Sequence, residues 1–203
     1  MTDDRADLRP FEEPFALFAD WYAEAQRGEA KNPNAMCLAS VDGEGRPSAR
    51  MVLLKGHDGD GFVFYTNLES RKGTHLAANQ ACALCFYWQS LDRSVRIEGD
   101  AVPVDTAEAD AYFASRSRES RIGAWASQQS RPLPGRFALE KAVARFAARF
   151  AVGRIPRPDH WSGFRVVPRR IEFWREKPFR LHEREVYHRL DSRAGWRFER
   201  LFP

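Results

Sequence analysis

The chain has 203 residues, enough for one well-buried core and short for two, and its 43% hydrophobic and 30% charged residues are the balance of an ordinary globular domain. Its formal net charge of +4 suits anionic ligands but is too small and too scattered to specify nucleic acid. With no apolar run of transmembrane length, no signal-peptide pattern and an odd count of three cysteines, the expectation is a cytoplasmic protein with no membrane partner and no disulfide framework.

Residues 1–13 are polar and acidic and read as a flexible arm; residues 14–203 read as a single domain. From Pro14 to about Gly28, Phe15, Phe18, Trp21 and Tyr22 recur at helical spacing. Asn32-Pro33-Asn34 is a turn. Ala35–Val41 and Pro47–Lys55 then flank Asp42-Gly43-Glu44-Gly45-Arg46, a hairpin signal. Gly56–Gly61 reads as a second turn and Phe62–Thr66 as a third strand. A helix is expected from Ser70 to Asn79, with Ser70 as its cap, followed by strands at Ala81–Trp88 and Val95–Val104. Asp105-Thr106-Ala107-Glu108 is a capping-box pattern that opens a helix through about Ala114. A short helix carries Ile122–Ala126, and a longer one runs from about Gly135 to Val152 with Phe137, Leu139, Val143, Phe146 and Phe150 inward. The tail returns to strands at Gly163–Val167, Arg170–Arg175, Arg184–Arg189 and Trp196–Arg200. Tight turns between roughly eight or nine strands argue for antiparallel pairing, so the fold class is α+β around one sheet or barrel.

Cys82 and Cys85 have C-x-x-C spacing, but positions i and i+3 of a strand point to opposite faces, and no second Cys or His pair completes a metal site. Core packing is the expected role of both.

Four segments bear on chemistry. In Ser70-Arg71-Lys72 two cations in the first turn of a helix oppose its dipole, a conflict that an anion docked on the free N–H groups would remove. The alternative is that both side chains reach solvent at a small cost. Ser115-Arg116-Ser117-Arg118-Glu119-Ser120-Arg121, between two helices, mixes guanidinium forks with hydroxyls, the groups that grip phosphate; Tyr112 lies one turn before Arg116. A polar surface loop is the other reading. Gln128-Gln129-Ser130 offers amides and a hydroxyl suited to the edge of a heteroaromatic ring, or is simply a polar loop. At strand spacing, Arg180, His182 and Arg184 share one face, while Leu181 and Glu183 share the other. No Gly-rich phosphate loop and no nucleophile elbow is present, and His57, His75, His160 and His188 have no evident partner. The composite suits two phosphorylated ligands meeting each other.

The order of motifs is more specific. Arg50-Met51-Val52-Leu53-Leu54-Lys55 comes first, then Phe64-Tyr65-Thr66-Asn67, Ser70-Arg71-Lys72, Tyr112-Phe113 with Arg116, and Ile122-Gly123-Ala124-Trp125. Ile171-Glu172-Phe173-Trp174 and Arg180-Leu181-His182 with Arg184 close the series. From about Pro14 to Pro203 the chain resembles the pyridoxamine 5′-phosphate oxidase family. The resemblance implies an FMN-binding split β-barrel, mostly antiparallel with flanking helices, that works as a homodimer with FMN in two clefts at the subunit interface. It implies oxidation of pyridoxamine or pyridoxine 5′-phosphate to pyridoxal 5′-phosphate, with O2 becoming H2O2. The positions that resemble FMN contacts are Arg50, Met51, Val52, Leu53, Lys55, Tyr65, Thr66, Arg71, Lys72, Gln129, Ser130, Trp174 and Arg184. Lys55, Tyr112, Arg116 and Ser120 resemble contacts to the substrate phosphate. Arg180 and His182 are the implied catalytic pair, over the pyridine ring opposite the flavin. Three departures stand out. Ser94 occupies a cofactor position where the family usually has Gln, Asn32 precedes Pro33 where Asp is common, and the arm lacks an Arg and Tyr pairing. Two other functions compete: another flavin oxidase on this barrel, of the phenazine-pathway type, and a non-catalytic flavin- or pyridoxal-phosphate-binding protein. Tyr112, Arg116 and Ser120 favour the B6 oxidase over the first, and Arg180 with His182 argues against the second.

Overall fold

Antiparallel pairing runs throughout the computed structural model, which describes residues 8–9, 13–29, 31–191 and 194–203. In chain order the elements are β1 (Leu8–Arg9), α1 (Glu13–Gly28), β2 (Ala35–Val41), β3 (Pro47–Leu53), β4 (Gly56–Asp58), β5 (Gly61–Asn67), α2 (Arg71–Ala78), β6 (Ala81–Trp88) and β7 (Arg93–Pro103). Then follow α3 (Thr106–Ser115), α4 (Arg118–Ala126), α5 (Ala138–Arg149), β8 (Trp161–Arg175), β9 (Glu183–His188) and β10 (Trp196–Arg200).

The strands lie in the order β1-β10-β9-β8-β7-β6-β2-β3, and β5 pairs with both β4 and β8. Leu54 and Lys55 carry β3 straight into β4, where the Lys55 N–H donates to the Val63 carbonyl at 2.8 Å. The path β2–β3/β4–β5–β8–β7–β6 therefore closes on itself as a barrel. β8 is long enough to serve two neighbours along one edge: Phe164 pairs with Phe64 of β5, and Trp174 pairs with Arg184 of β9. This shared strand is where the barrel splits.

Period-two patterning places Leu38, Leu84, Phe86, Val95, Ile97, Ile171 and Phe173 inside, all buried. The apolar stripe of α1 packs on them, with the Phe18 ring 4.8 Å from Phe62 and Trp21 5.2 Å from Phe173. The opposite face of β3, β6, β7 and β8 is left open. Its apolar residues include Met51, 64% exposed, and Tyr87, 59% exposed.

Several sequence-based expectations change. Gly56–Gly61 is not all turn: Gly56–Asp58 pairs as β4, and only Asp58–Gly61 turns, with Asp58 Oδ1 accepting from the Asp60 and Gly61 N–H groups. The strands expected at Gly163–Val167 and Arg170–Arg175 are one strand, β8. Pro168 does not break it because the ladder shifts register between Glu98 and Gly99 just opposite, and a Cβ on Gly99 would lie 2.1 Å from the Val167 carbonyl oxygen. α4 begins at Arg118, with Ser117 as its cap, so half of the expected Ser115–Arg121 loop is helical. α5 does not point its whole stripe inward. Phe137 is 58% exposed, with Leu139 and Val143 also exposed, and Phe146 and Phe150 pack on Trp125. Cys82 and Cys85 face opposite sides of β6, but Cys85 lies on the open face rather than in the core; both are free thiols, and burial pushes Cys82 up to about 12. Within the expected arm, Leu8 and Arg9 pair with Arg197 and Trp196; residues 1–7 and 10–12 lie outside the described residues. No described helix is long and apolar enough to cross a membrane.

Candidate active site

The end of β5 delivers the chain into α2 through a cap. Ser70 Oγ accepts from the Gly73 N–H at 3.3 Å and donates to the Asn67 carbonyl at 2.6 Å. No acidic residue occupies the first turn of α2. Lys72 is buried there, with Nζ donating to Thr66 Oγ1 (2.9 Å), Ser70 Oγ (3.1 Å) and Gln129 Oε1 (2.8 Å). Burial, and secondarily the nearby Arg50 cation, lowers its pKa to about 8. Arg50 Nη1 donates to the Leu38 carbonyl at 3.0 Å and to Ser40 Oγ at 2.7 Å, and His75 Nδ1 lies 3.3 Å from that same hydroxyl. Arg71 is exposed beside them. Ser130 follows Gln129 with φ of 70°. Two cations thus meet only neutral oxygens at a helix N-terminus, with a third exposed beside them, an arrangement that an anion completes.

Next to this cluster is a cleft of about 670 Å3. Its lining includes Met51, Val52, Leu53 and Lys55 from β3 and the residues after it, Tyr65, Thr66 and Lys72, and Tyr112, Arg116, Ser120 and Gln129. Tyr65 stacks on Tyr112, with centroids 3.9 Å apart, and on Trp161 at 5.3 Å. Tyr65 donates to Glu108 Oε1 at 3.2 Å; burial, with Glu108 adding to it, holds the phenol pKa above its usual value, so it stays neutral. The Arg116 guanidinium lies 4.7 Å from the Trp161 ring centroid. Its Nη1 is buried and has no hydrogen-bond partner among the described residues, and burial lowers the Arg116 pKa. A buried cationic donor without a partner, lining a cleft, is the clearest sign of an anionic ligand in the molecule.

The remaining expected site residues are elsewhere. Ser94 and Trp174 line a separate hollow of about 310 Å3 on the open sheet face, with Cys85, Tyr87, Arg96 and Glu172. Tyr87, Ser94, Trp174 and Arg184 are paired in one row across β6 to β9 and so share that face. Ser94 Oγ donates to the Phe86 carbonyl at 2.8 Å. The His182 ring lies 4.9 Å from Trp174. The Lys177 N–H donates to His182 Nδ1 at 3.3 Å, which puts the proton of the neutral ring on Nε2.

Arg180 and His182 do not share a strand face with Arg184. Pro178–Arg180 is a short 3-10 turn with left-handed φ at Phe179 (57°) and Arg180 (60°), and β9 begins only at Glu183. Pro178 fixes φ and lacks an N–H, so the chain turns there before pairing with β8.

Within one chain the expected residues fall into two groups. Met51, on β3, lines the cleft, whereas Trp174, on β8, lines the separate hollow. Trp161, His75 and Glu172 were not among the expected site residues. Only Glu172 carried a signal, its place in the Ile171–Trp174 motif.

The family model described as pyridoxamine 5′-phosphate oxidase matches residues 22–150, and the pyridoxine 5′-phosphate oxidase C-terminal dimerisation region matches residues 161–203. A pyridoxine/pyridoxamine 5′-phosphate oxidase of Rhodospirillum rubrum is 64% identical over 196 residues, covering 94% of this chain and 96% of that protein. One from Maricaulis maris is 61% identical over 198 residues, covering 98% and 89%. Among solved structures, PhzG from Burkholderia lata 383 in complex with tetrahydrophenazine-1-carboxylic acid matches with a TM-score of 0.89 at 32% identity, covering 100% of this chain and 98% of that one. The chain belongs to the pyridoxamine 5′-phosphate oxidase family of oxidoreductases and carries that family's C-terminal dimerisation region.

Proposed function

We propose that the protein is a cytoplasmic, FMN-dependent homodimer that oxidises pyridoxamine 5′-phosphate and pyridoxine 5′-phosphate to pyridoxal 5′-phosphate, with O2 reduced to H2O2. The amine substrate also consumes water and releases ammonia. The observation that carries this reading is the unpartnered Arg116 Nη1 beside the cleft, with Tyr112, Ser120 and Lys55 along the same walls. A phosphate is the group that satisfies such a set through several oxygens at once.

The residues fit FMN as well. Arg50, Arg71 and Lys72 at the start of α2 would hold its phosphate, Lys72 exchanging one of its neutral oxygen partners for an anionic one. Met51, Val52 and Leu53 would lie against the ring system, with Gln129 and Ser130 at its polar edge. FMN, when bound, supplies the acceptor for the hydride leaving C4′ of the substrate and passes the electrons on to oxygen. Everything else is positioning. Arg116, Tyr112, Ser120 and Lys55 would fix the substrate phosphate, and the stacked Tyr65, Tyr112 and Trp161 keep water from that wall. Arg180 and His182 would cover the pyridine ring on the side away from the flavin, His182 offering its Nε2–H as a donor. Neither these two residues nor Ser94, Trp174 or Arg184 lines the cleft that Met51 lines, so a second copy of the chain would supply them. The open, partly apolar sheet face and the match to a dimerisation region support that assembly.

The test is direct. The purified protein should be yellow, and pyridoxine 5′-phosphate added in air should yield aldehyde and peroxide together. A protein that takes up no FMN, or that makes neither product, would overturn the proposal. A second reading is favoured by the likeness to PhzG: oxidation of a reduced phenazine carboxylate. It has no use for the Arg116 phosphate grip, and turnover of tetrahydrophenazine-1-carboxylic acid in preference to the phosphate esters would establish it instead.

A further inference from the structure

Glu172 sits near the C-terminal end of β8 on the open sheet face, yet is only 4% exposed. Three guanidiniums cover it. Oε2 accepts from Arg96 Nη2 at 2.5 Å and from Arg170 Nη2 at 2.7 Å, and Oε1 accepts from Arg184 Nε at 2.9 Å. Glu98 takes a further donor from Arg170 at 2.9 Å and lies 3.3 Å from Arg96 Nε. Three guanidiniums against two carboxylates leave the cluster with one positive charge. Its carboxylate pKa is held below the usual range, through the hydrogen bonds from Arg184 and Arg170 and the charge of Arg96, against the effect of burial.

A buried ion cluster is weak evidence of a stabilising device, since well-packed apolar residues do that work as well or better. The geometry has a more specific consequence at Arg184. Its Nε is fixed by Glu172 and its Nη1 donates to the Phe202 carbonyl at 3.1 Å. Its Nη2 has no partner among the described residues, and Trp174 lies directly opposite in the ladder. An arginine otherwise loses rotamer freedom on gripping a ligand; one held at two nitrogens has already lost it.

We propose that Glu172 is a positioning residue that acts through Arg184, holding its guanidinium so that the free donor is aimed at the cofactor in a neighbouring subunit's cleft. This rests on the reading of Arg184 as a flavin-facing residue. The carboxylate does not touch the cofactor; it sets the angle of the group that does. The sign of the effect distinguishes this from simple electrostatics. Removing one negative charge near an anionic cofactor favours binding by charge alone, whereas losing the clamp on Arg184 disfavours it.

The experiment is FMN titration of the full-length apoprotein by flavin fluorescence, with R184A, E172Q and the double variant, alongside apoprotein thermal unfolding. E172Q and R184A should each weaken FMN binding roughly tenfold, the lower range for one charge-assisted hydrogen bond. The double variant should bind no worse than R184A alone, because both changes remove one contact. E172D serves as the check if E172Q folds poorly: it keeps the charge balance but retracts the carboxylate, and should also weaken FMN binding while Arg184 is intact. Tighter binding in E172Q would show that charge alone matters and would overturn the proposal. A drop in melting temperature with unchanged FMN affinity would also overturn it, by making Glu172 purely structural. Unchanged affinity in R184A would instead remove Arg184 from the flavin site and defeat the reading beneath this one.

Discussion

At the N-terminus of α2, Arg50 and Lys72 donate to neutral oxygens and Arg71 lies exposed beside them; on the open face of the sheet, Arg96, Arg170 and Arg184 share Glu172 and Glu98. Both regions are cationic, but they differ in how the charge is compensated. The first has no carboxylate partner, and burial, with the Arg50 cation adding to it, lowers the Lys72 pKa to about 8. Such a site is strained until an anion arrives, so the anion should bind tightly and change the site's protonation. The second is neutralised to a single excess charge and made rigid, so its contribution is direction rather than field. The contrast teaches that affinity for the cofactor phosphate should rest on the first region, and its orientation on the second.

Substitutions can break that contrast, and the largest effect belongs to the uncompensated region. Lys72→Met should weaken FMN binding by about 3 kcal/mol, roughly a hundredfold, the upper range for a charged hydrogen bond. Apoprotein melting should not fall in step, because a poorly compensated buried cation leaves with the substitution. Equilibrium dialysis with FMN and a melting curve on the apoprotein check both halves.

Arg116→Ala should raise the KM for pyridoxine 5′-phosphate by an amount equivalent to roughly 1.5–3 kcal/mol, with FMN content unchanged. Loss of FMN in place of substrate affinity would mean that the two phosphate sites have been exchanged.

The lowered Lys72 pKa gives a pH dependence. Its pKa is about 8 in the fold against an ordinary 10.5, so between these values the unfolded chain holds a proton that the folded apoprotein has released. Lys72 therefore adds to apoprotein stability as pH rises from about 8 towards 10.5, and opposes folding below. A bound phosphate reverses the preference by stabilising the ammonium. FMN affinity should fall by up to roughly tenfold per pH unit above pH 8 in the parent. In Lys72→Met it should stay flat there; a parallel fall in both proteins would assign the titration to another group.

The smallest effect is at Ser94. Its hydroxyl donates to the Phe86 carbonyl rather than into the hollow, so it offers little to a cofactor edge. Ser94→Gln extends the side chain and offers both donor and acceptor, and should tighten FMN binding by roughly 0.5–1.5 kcal/mol without altering substrate preference. Weaker binding would mean that the space is already filled.

Local signals in the sequence proved sufficient where one element decides the outcome. Ser70 and Asp105 cap their helices as expected, Asp105 accepting from the Glu108 N–H at 2.7 Å, and β6 spans the expected Ala81–Trp88. Met51, Val52, Leu53, Lys55, Tyr65, Thr66, Lys72, Tyr112, Arg116, Ser120 and Gln129, singled out along the chain, line one cleft. What was not legible depends on pairing across the chain. Gly163–Val167 and Arg170–Arg175 read as two strands, because the bulge at Glu98 and Gly99 that lets β8 run on through Pro168 is some 70 residues away. Arg180 and His182 looked like strand residues because alternation alone does not reveal a turn begun by Pro178. His75 becomes relevant only once Ser40 is brought beside it, and Trp161 only once Tyr65 and Tyr112 stack against it. The stripe of α5 was judged inward from periodicity, which gives a face but not what lies against it.

The central claim, an active site shared between two copies, is tested most directly by complementation. Chains carrying Arg116→Ala are co-expressed with chains carrying Arg180→Ala and His182→Ala, and the mixed dimers are assayed with pyridoxine 5′-phosphate. In a shared site each mixed dimer combines one doubly damaged site with one intact site, so random pairing should restore about a quarter of the parent's activity. Activity no higher than the mean of the two separate variants would contradict a site built from both chains.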